Sequence, residues 1–369
     1  MQTSDLAYTS ESNVVTNQTK LPMITVLAPA YNEEDIITQN LQVLWDYMNT
    51  LSSKYRFEIL IINDGSKDKT KELADTFADS HPHVRIIHHV VNKNLGGALR
   101  TGFANAKGDY IVVMDLDLSY DQFHIERLVN HAIKVDADIV VASPYMKGGK
   151  STKVPFLRLT LSKVVNRMMS FSAPNTDIKT FTGMVRAYKR SFIQKVNLKS
   201  NTFSINPEIL FKALILRAKI IEIPAHLDWS LQVEAPGRVS SIKIFKGILA
   251  GLMSSFIFRP YAFFMVLGGI LLALSMYMIV WIFVNVFSIY PDLVVETAYF
   301  DDRFSMAVSE VFKIRPHAFF IGGVALVVAL QFLSLGFLSL QNKRYFDELF
   351  HINTSELEKI QNLKNEHIN

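Results

Sequence analysis

The chain has 369 residues, 49% of them hydrophobic, a formal charge of +4 and no cysteine. Disulfides and thiolate metal sites are thereby excluded, and a positive excess this small is no nucleic-acid signature. The length holds one soluble domain of ordinary size plus something more apolar.

Residues 1–20 are rich in Ser, Thr, Asn and Gln and are expected to form a flexible leader. They lack the basic, apolar and small-residue succession of a cleaved signal peptide, so the domain that follows is expected to stay on the side where it is made. From Met23 the pattern changes. Residues 24–28 form a short β-type run that Pro29 is expected to end, with a helix opening at Ala30-Tyr31-Asn32-Glu33-Glu34 and running through Trp45. The plan then repeats: a strand over 58–62, the turn Asn63-Asp64-Gly65-Ser66 and a helix over 67–78; a strand over 84–90, the turn Asn92-Lys93-Asn94 and a helix over 95–106. A strand ending at Asp115 and Asp117 follows, then a helix from about Gln122 and a strand over 138–142. Strands alternating with helices predict an α/β fold with an open, mainly parallel sheet covered on both faces.

Ligands in such sheets sit beyond the carboxyl ends of the strands. Tyr31 and Glu33 follow the first strand, Asp64 the second, Asn94, Gly96 and Gly97 the third, and Asp115 and Asp117 the fourth. Singly, each has a plainer reading: the Asn63 turn as a turn and N-cap, Gly96-Gly97 as a place where a helix approaches the sheet. Their shared position points to a site. Asp115 and Asp117 lie one residue apart, so on an extended backbone their side chains point the same way. Such a pair is either a solvated strand end or a holder for a hard cation, Mg²⁺ or Mn²⁺, which takes carboxylate oxygen and shares itself with substrate phosphates. The second reading implies a nucleotide diphosphate.

Past the sheet, Tyr145-Met-Lys147-Gly148-Gly149-Lys150 is expected to be a mobile basic loop, and 156–171 an amphipathic helix carrying Arg158, Lys163 and Arg167. Asn206-Pro207-Glu208 should open another helix, and 219–223 a last short strand. Apolar residues at 244, 245, 248, 249, 252, 253 and 256 form a helical stripe, suited to a membrane interface or to packing on the soluble domain. Residues 261–287 and 318–340 contain no Asp, Glu, Lys or Arg, and each can cross a hydrocarbon core of about 30 Å. Lys243, Lys246 and Arg259 precede the first run and Lys343 and Arg344 follow the second. Asp292, Glu296, Asp301, Asp302 and Glu310 lie between the runs, against Arg303, Lys313 and Arg315. By the positive-inside rule both termini are expected to be cytoplasmic, with the 288–317 loop outside. The expected plan is a leader 1–20, a cytoplasmic domain 21–240, a juxtamembrane helix 241–260, a membrane domain 261–341 with two spans, and a tail 342–369. In the tail, Ser355-Glu-Leu-Glu358 reads as a capping box opening a short, exposed or oligomer-forming helix.

Six motifs stand in order: Pro29-Ala-Tyr31-Asn32-Glu33; Asn63-Asp64-Gly65-Ser66-Lys67-Asp68; Asn92-Lys-Asn-Leu-Gly96-Gly97-Ala98-Leu-Arg100-Thr-Gly102; Gly108-Asp-Tyr-Ile-Val-Val-Met-Asp115-Leu-Asp117-Leu118; Phe181-Thr182-Gly183; and Pro207-Glu208. On these the chain resembles the inverting family 2 glycosyltransferases of the GT-A fold, in particular the membrane-anchored branch of dolichol-phosphate mannose synthase and bacterial polyprenyl-phosphate glycosyltransferases. The resemblance runs from Met23 to the end of the second apolar run. It implies that Pro29, Tyr31, Glu33 and Asp64 frame the nucleotide, Asp64 accepting from a base N–H, and that Asp115 and Asp117 serve the Mg²⁺ or Mn²⁺ bridging the diphosphate. It implies that Arg158 lies near the acceptor phosphate, and that Arg238 and Lys243 form a basic stretch before the membrane. Three positions depart from the family pattern: Asn63 replaces an Asp, Ser119 a Gln and Pro144 an Arg. The Gln-x-x-Arg-Trp signature of processive synthases is absent.

The implied activity is inverting transfer of one hexose from a UDP- or GDP-sugar to an undecaprenyl or dolichyl phosphate, at the cytoplasmic face of a bacterial or archaeal plasma membrane. Two other readings stand beside it. One keeps the fold with a hydroxyl lipid acceptor such as diacylglycerol, which would need a general base. The other is a non-enzymatic membrane protein on the same scaffold, whose mark would be loss of Asp115 or Asp117.

Overall fold

The structure is a computed structural model that describes residues 21–173, 177–230, 260–293 and 300–366. Its first strand, Met23–Ala30 (β1), is apolar and buried over most of its length, the pattern of a strand covered on both faces. It pairs in parallel with Arg56–Asn63 (β2) on one side and Tyr110–Val113 (β4) on the other, and β2 pairs in parallel with Val84–His88 (β3). The chain therefore runs outward through β2 and β3 and returns to the far side of β1. Beyond β4, Arg186–Lys189 (β7) runs antiparallel to β4 and to Ile139–Ser143 (β5), and Ile220–Pro224 (β8) runs parallel to β5. The order is β3-β2-β1-β4-β7-β5-β8. Strand order reverses between β1 and β4, where an open sheet leaves a crevice beyond its carboxyl ends. Lys150–Thr152 (β6) and His226–Asp228 (β9) make a separate parallel ribbon.

Alternation along β1 decides which helix covers which side chain. Ile37–Thr50 (α1) and Phe123–Val135 (α4) bring Leu41, Leu44, Ile125 and Leu128 onto the face that carries Ile24, Val26 and Ala28. Asn94–Asn105 (α3), Phe156–Ser172 (α5) and Ile205–Ile215 (α7) bring Leu99, Phe103, Met169 and Ile209 onto the face that carries Leu27 and Leu60. Thr70–Ser80 (α2) packs beside α1 and β3, and Arg190–Ile193 (α6) is a single turn.

Two helices follow the domain, Pro260–Ile289 (α8) and Pro316–Glu366 (α10), with Phe300–Ile314 (α9) between them in sequence. Two stretches, Pro260–Asp292 and Pro316–Phe346, are long and apolar enough to cross a membrane. The helix of a water-soluble core would bury its apolar side chains, yet Val266, Ile270, Val284, Phe320, Val324 and Phe337 all stand open, as they would facing lipid. The two helices pack on each other, and Ser275 donates its hydroxyl to the Gly322 carbonyl at 2.8 Å. At one end Lys343 lies 5.8 Å over the Tyr261 ring, and near the other Arg315 lies 4.5 Å over Trp281, the residue types that collect at membrane interfaces.

The structure corrects several boundaries, and the reasons are mostly long-range. Pro29 does not end β1, which runs on to Ala30 with Pro29 opposite Ile62; one missing N–H near a strand end is tolerated. α1 begins at Ile37 rather than Ala30, because the intervening residues are held by the next loop: the Asn32 amide donates to Ser66 Oγ and the Glu33 amide to Thr70 Oγ1. α2 begins at Thr70 rather than 67, since Asn32 and Glu34 side chains take the Lys67 and Lys69 amides. β3 stops at His88, and β4 stops at Val113, so both aspartates lie in the turn that follows. The 288–317 loop contains α9. Ser355 opens no helix, because α10 runs unbroken to Glu366 through a stretch without Gly or Pro. The leader and the 244–256 stripe, with Arg238 and Lys243, lie outside the described residues.

Candidate active site

The crevice is framed first by three neighbouring loops that hold one another. Gly65 turns the chain after β2 at φ +69°, and a Cβ there would stand 2.7 Å from the Asn92 amide nitrogen, so the loops after β2 and β3 touch. Asn63 spends both ends of its amide on this frame: Oδ1 accepts from the Ser66 amide at 3.2 Å and Nδ2 meets His88 Nδ1 at 3.0 Å. Asp64 is buried. Its Oδ1 accepts from His89 Nδ1 at 2.6 Å and from the Lys93 amide at 2.9 Å, and His89 Nε2 meets Thr101 Oγ1 on α3 at 2.8 Å. A carboxylate can only accept, so Nδ1 carries a proton and donates it to Asp64.

The glycines at the start of α3 serve a different contact from the one expected. A Cβ on Gly96 would lie 2.1 Å from the Ser200 carbonyl oxygen, and the Gly96 amide donates to Asn201 O at 2.7 Å. Gly96 thus admits the 199–201 loop rather than the sheet, while Gly97 lies against the Lys93 side chain. Arg100 donates to the Lys199 and Ser200 carbonyls, and Glu208 on α7 accepts from the amides of the same two residues at 2.9 and 2.8 Å. The third motif and Pro207-Glu208, more than a hundred residues apart, are one structural unit.

At the switch point stand Asp115 and Asp117. Leu118 takes a left-handed φ of +50°, and the Ser119 amide donates to Asp117 Oδ1 at 3.0 Å. Asn40 of α1 holds the Leu116 carbonyl at 2.9 Å, and Ser119 O accepts from the Asp228 amide at 2.8 Å. The turn is thereby tied to α1 and β9. Ser119 is buried. Burial and the neighbouring Asp117 push the Asp115 carboxyl up to about 8, with Glu33 adding to the effect and Arg158 opposing it. Among the described residues no group of three or more His, Cys, Asp or Glu gathers as a metal cage.

Across the crevice, Arg158 stands on the first turn of α5 with its guanidinium 3.9 Å over the Trp229 ring, just past β9. Behind it, Asn166 of α5 binds the Phe181-Thr182-Gly183 motif, Oδ1 accepting from the Phe181 and Thr182 amides at 2.6 and 3.1 Å. Arg186 on β7 is fully buried and donates to the Phe181 and Asn206 carbonyls at 2.7 and 2.8 Å.

Asp117, Glu33 and Arg158 thus all act on the charge of Asp115. Pro29 and Tyr31 flank them at the end of β1, Tyr31 exposed. Asp64 belongs to the neighbouring frame after β2. Sequence reasoning did not find His89, Trp229, Asn166 or Arg186. His89 stands one residue past the end of β3 and meets Asp64 from 25 positions away in sequence, so all four depend on contacts across the fold.

The sequence profile described as Glycosyl transferase family 2 matches residues 25–196. A dolichol-phosphate mannosyltransferase of Pyrococcus furiosus is 33% identical over 202 residues, covering 54% of this chain and 55% of that protein. A polyprenol monophosphomannose synthase of Mycolicibacterium smegmatis is 30% identical over 206 residues, covering 54% of this chain and 75% of that protein. The match thus spans about half the length of the first relative and three quarters of the second. Among solved structures, glucosyl-3-phosphoglycerate synthase of Mycobacterium tuberculosis, crystallised with Mn²⁺, UDP and phosphoglyceric acid, superposes with a TM-score of 0.47 at 16% identity, covering 63% of this chain and 78% of that one. That likeness is too distant to carry an argument about individual residues.

Proposed function

The chain belongs to glycosyl transferase family 2, and from that premise we propose that it transfers one hexose, with inversion, from a nucleotide-diphosphate sugar to a polyprenyl phosphate. One arrangement carries the reading: a carboxylate pair at the switch point stands within electrostatic reach of an arginine, in a domain that leads into two membrane-length apolar helices. The named relatives act on dolichol phosphate and on a polyprenol, which supports a lipid phosphate as acceptor.

In this reading Pro29, Tyr31 and Glu33 line the nucleotide at the end of β1, and Asp64 accepts from its base. A phosphate monoester has a second pKa of about 6, so the acceptor arrives largely ionised and needs no general base. It needs desolvation and alignment behind C1 of the sugar. Arg158 supplies the alignment. With one face of its guanidinium on Trp229, the edge N–H groups remain for two phosphate oxygens. A phosphate oxygen bonds to C1 as the bond from C1 to the diphosphate oxygen breaks, and the nucleoside diphosphate leaves. Arg238 and Lys243 add positive charge where the chain approaches the membrane.

Asp115 and Asp117 fit a divalent cation by the chemistry of the pair: burial and the Asp117 charge beside it raise the cost of ionising Asp115, and a cation held by the two carboxylates would offset that cost. They would hold Mg²⁺ or Mn²⁺, with the donor diphosphate completing the shell. The ion supplies charge neutralisation for the leaving diphosphate.

The test is nucleotide release by the purified protein with polyprenyl phosphate and a panel of UDP- and GDP-sugars, with extraction of the product. Release that depends on polyprenyl phosphate, with a mild-acid-labile glycolipid, is expected. An acid-stable product on added diacylglycerol would replace this acceptor. We place both termini in the cytoplasm, from Lys343 and Arg344 after the second span and the acidic residues between the spans. Tags at residue 369 and in the leader should resist protease in sealed cells while one near Asp301 is cut; the opposite pattern reverses the orientation.

A further inference from the structure

A carboxylate that reads a nucleobase can do so with one oxygen or with both, and here the count is set before any nucleotide arrives. Asp64 has about four lone-pair positions on its two oxygens. Oδ1 already accepts from His89 Nδ1 and from the Lys93 amide, which fills it. Oδ2 makes no hydrogen bond among the described residues. His89 cannot easily turn away, because it is buried and its Nε2 is engaged by Thr101 on α3.

The bases differ in what they offer to such a carboxylate. Uracil presents a single N–H, at N3, between two carbonyls. Guanine presents two adjacent donors, N1–H and the N2 amino group, whose best partner is a carboxylate with both oxygens free in one plane. With Oδ1 filled, guanine would leave one donor unpaired or displace His89. Cytosine presents a bare N3 lone pair toward the charge.

We propose, resting on the reading of Asp64 as the base contact, that the donor nucleotide is a uridine diphosphate sugar. His89 is then the positioning residue that sets the choice, by occupying the oxygen guanine would need. It touches the carboxylate and not the base. Leaving one buried donor unpaired is worth about one to two orders of magnitude in affinity.

Equilibrium binding of UDP, GDP and CDP to the full-length protein in detergent with Mg²⁺ tests this without turnover. The wild type should bind UDP at least tenfold more tightly than GDP, and CDP more weakly than UDP. Asp64→Ala should weaken UDP binding and abolish the preference. His89→Leu should bring the UDP:GDP ratio toward one, whereas His89→Asn, whose amide nitrogen stands where Nδ1 does, should restore it. Thr101→Val, which removes only the far hydrogen bond, should move the ratio the same way by less, and it keeps the test open if His89→Leu does not fold. GDP binding as tight as UDP, with both lost in Asp64→Ala, overturns the uridine assignment and leaves the base contact standing. An unchanged ratio in a folded His89→Leu or Thr101→Val protein overturns the role of His89. UDP binding indifferent to Asp64→Ala, or binding of neither nucleotide, removes the base contact itself and the donor reading with it.

Discussion

On the bank of the crevice that we assign to the nucleotide, the loops after β1, β2 and β3 are laced to one another by Asn32, Ser66, Thr70, Asp64, His89 and Lys93. The bank that we assign to the acceptor is open. Arg158 sits on an exposed turn of α5, held over one indole ring, with Phe156 83% and Leu157 63% exposed beside it. A small polar donor must be recognised from water, so its site is preorganised at the cost of fixing side chains in advance. A lipid arrives from a bilayer that itself supplies apolar surroundings, and an apolar turn left open on the protein is compatible with that origin. Substitutions on the two banks should therefore separate, the nucleotide bank changing donor affinity and the acceptor bank changing use of lipid.

The largest effect is expected between the banks, at Asp117. Asp117→Asn keeps the size and, through Oδ1, the bond from the Ser119 amide, but removes one negative charge from the pair. A metal is worth several kcal/mol of charge stabilisation in the transition state, and each 1.36 kcal/mol is tenfold in rate. A poorly held ion should therefore slow transfer by roughly two orders of magnitude, with little change in melting temperature because Asp117 itself is only partly buried. Near-normal, metal-stimulated turnover would remove Asp117 from the ligand set. Wild-type activity indifferent to EDTA would remove the ion.

How much of this was legible depends on the range of the contact that fixes each element. The strands announced themselves through apolar runs followed by turn residues, and the clustering of motifs at their carboxyl ends located the crevice, because both signals are local. What lay beyond reach is long-range. The start of α1 is set by Ser66 and Thr70, some thirty residues on. β7 runs antiparallel between β4 and β5 and was not expected at all, since four residues carry too little periodicity to mark a strand. β6 and β9 are three residues each and find one another across the chain. Arg186 reads in sequence like any basic residue near a surface, and only the fold reveals it beneath the Phe181 turn. The departure of Asn63 from the family pattern is explained only by the His88 and Ser66 contacts that use both ends of its amide.

The next effect in size is at Arg158. Arg158→Ala should reduce transfer to polyprenyl phosphate by about ten- to a hundredfold, since charge-assisted hydrogen bonds are worth about 1.5–3 kcal/mol each. UDP or GDP affinity should stay within a factor of about two, because the nucleotide bank is built without this residue. Arg158→Lys should recover part of the rate, a point charge lacking the planar fork. Equal losses in nucleotide binding and in transfer would move Arg158 to the donor bank and erase the contrast between the two.

The smallest effect is expected at Trp229, and it sharpens the comparison most. Its ring lies 3.9 Å from the Arg158 guanidinium, and its amide is tied to Thr152 O at 3.0 Å on the neighbouring ribbon. A cation–π contact at a partly open site is worth about 0.5–2 kcal/mol. Trp229→Leu keeps an apolar side chain over β9 and removes the π face. Arg158 then remains charged but loses its fixed direction, so the loss should appear as a roughly three- to tenfold higher KM for polyprenyl phosphate with kcat nearly kept. In an Arg158→Ala background the same substitution should add little, because the group it orients is gone. The measurement is a double-mutant cycle on the lipid KM with melting temperatures taken in parallel. Additive losses would show that Trp229 acts through packing of the ribbon rather than through the arginine, and the acceptor bank would then have no preorganised element at all.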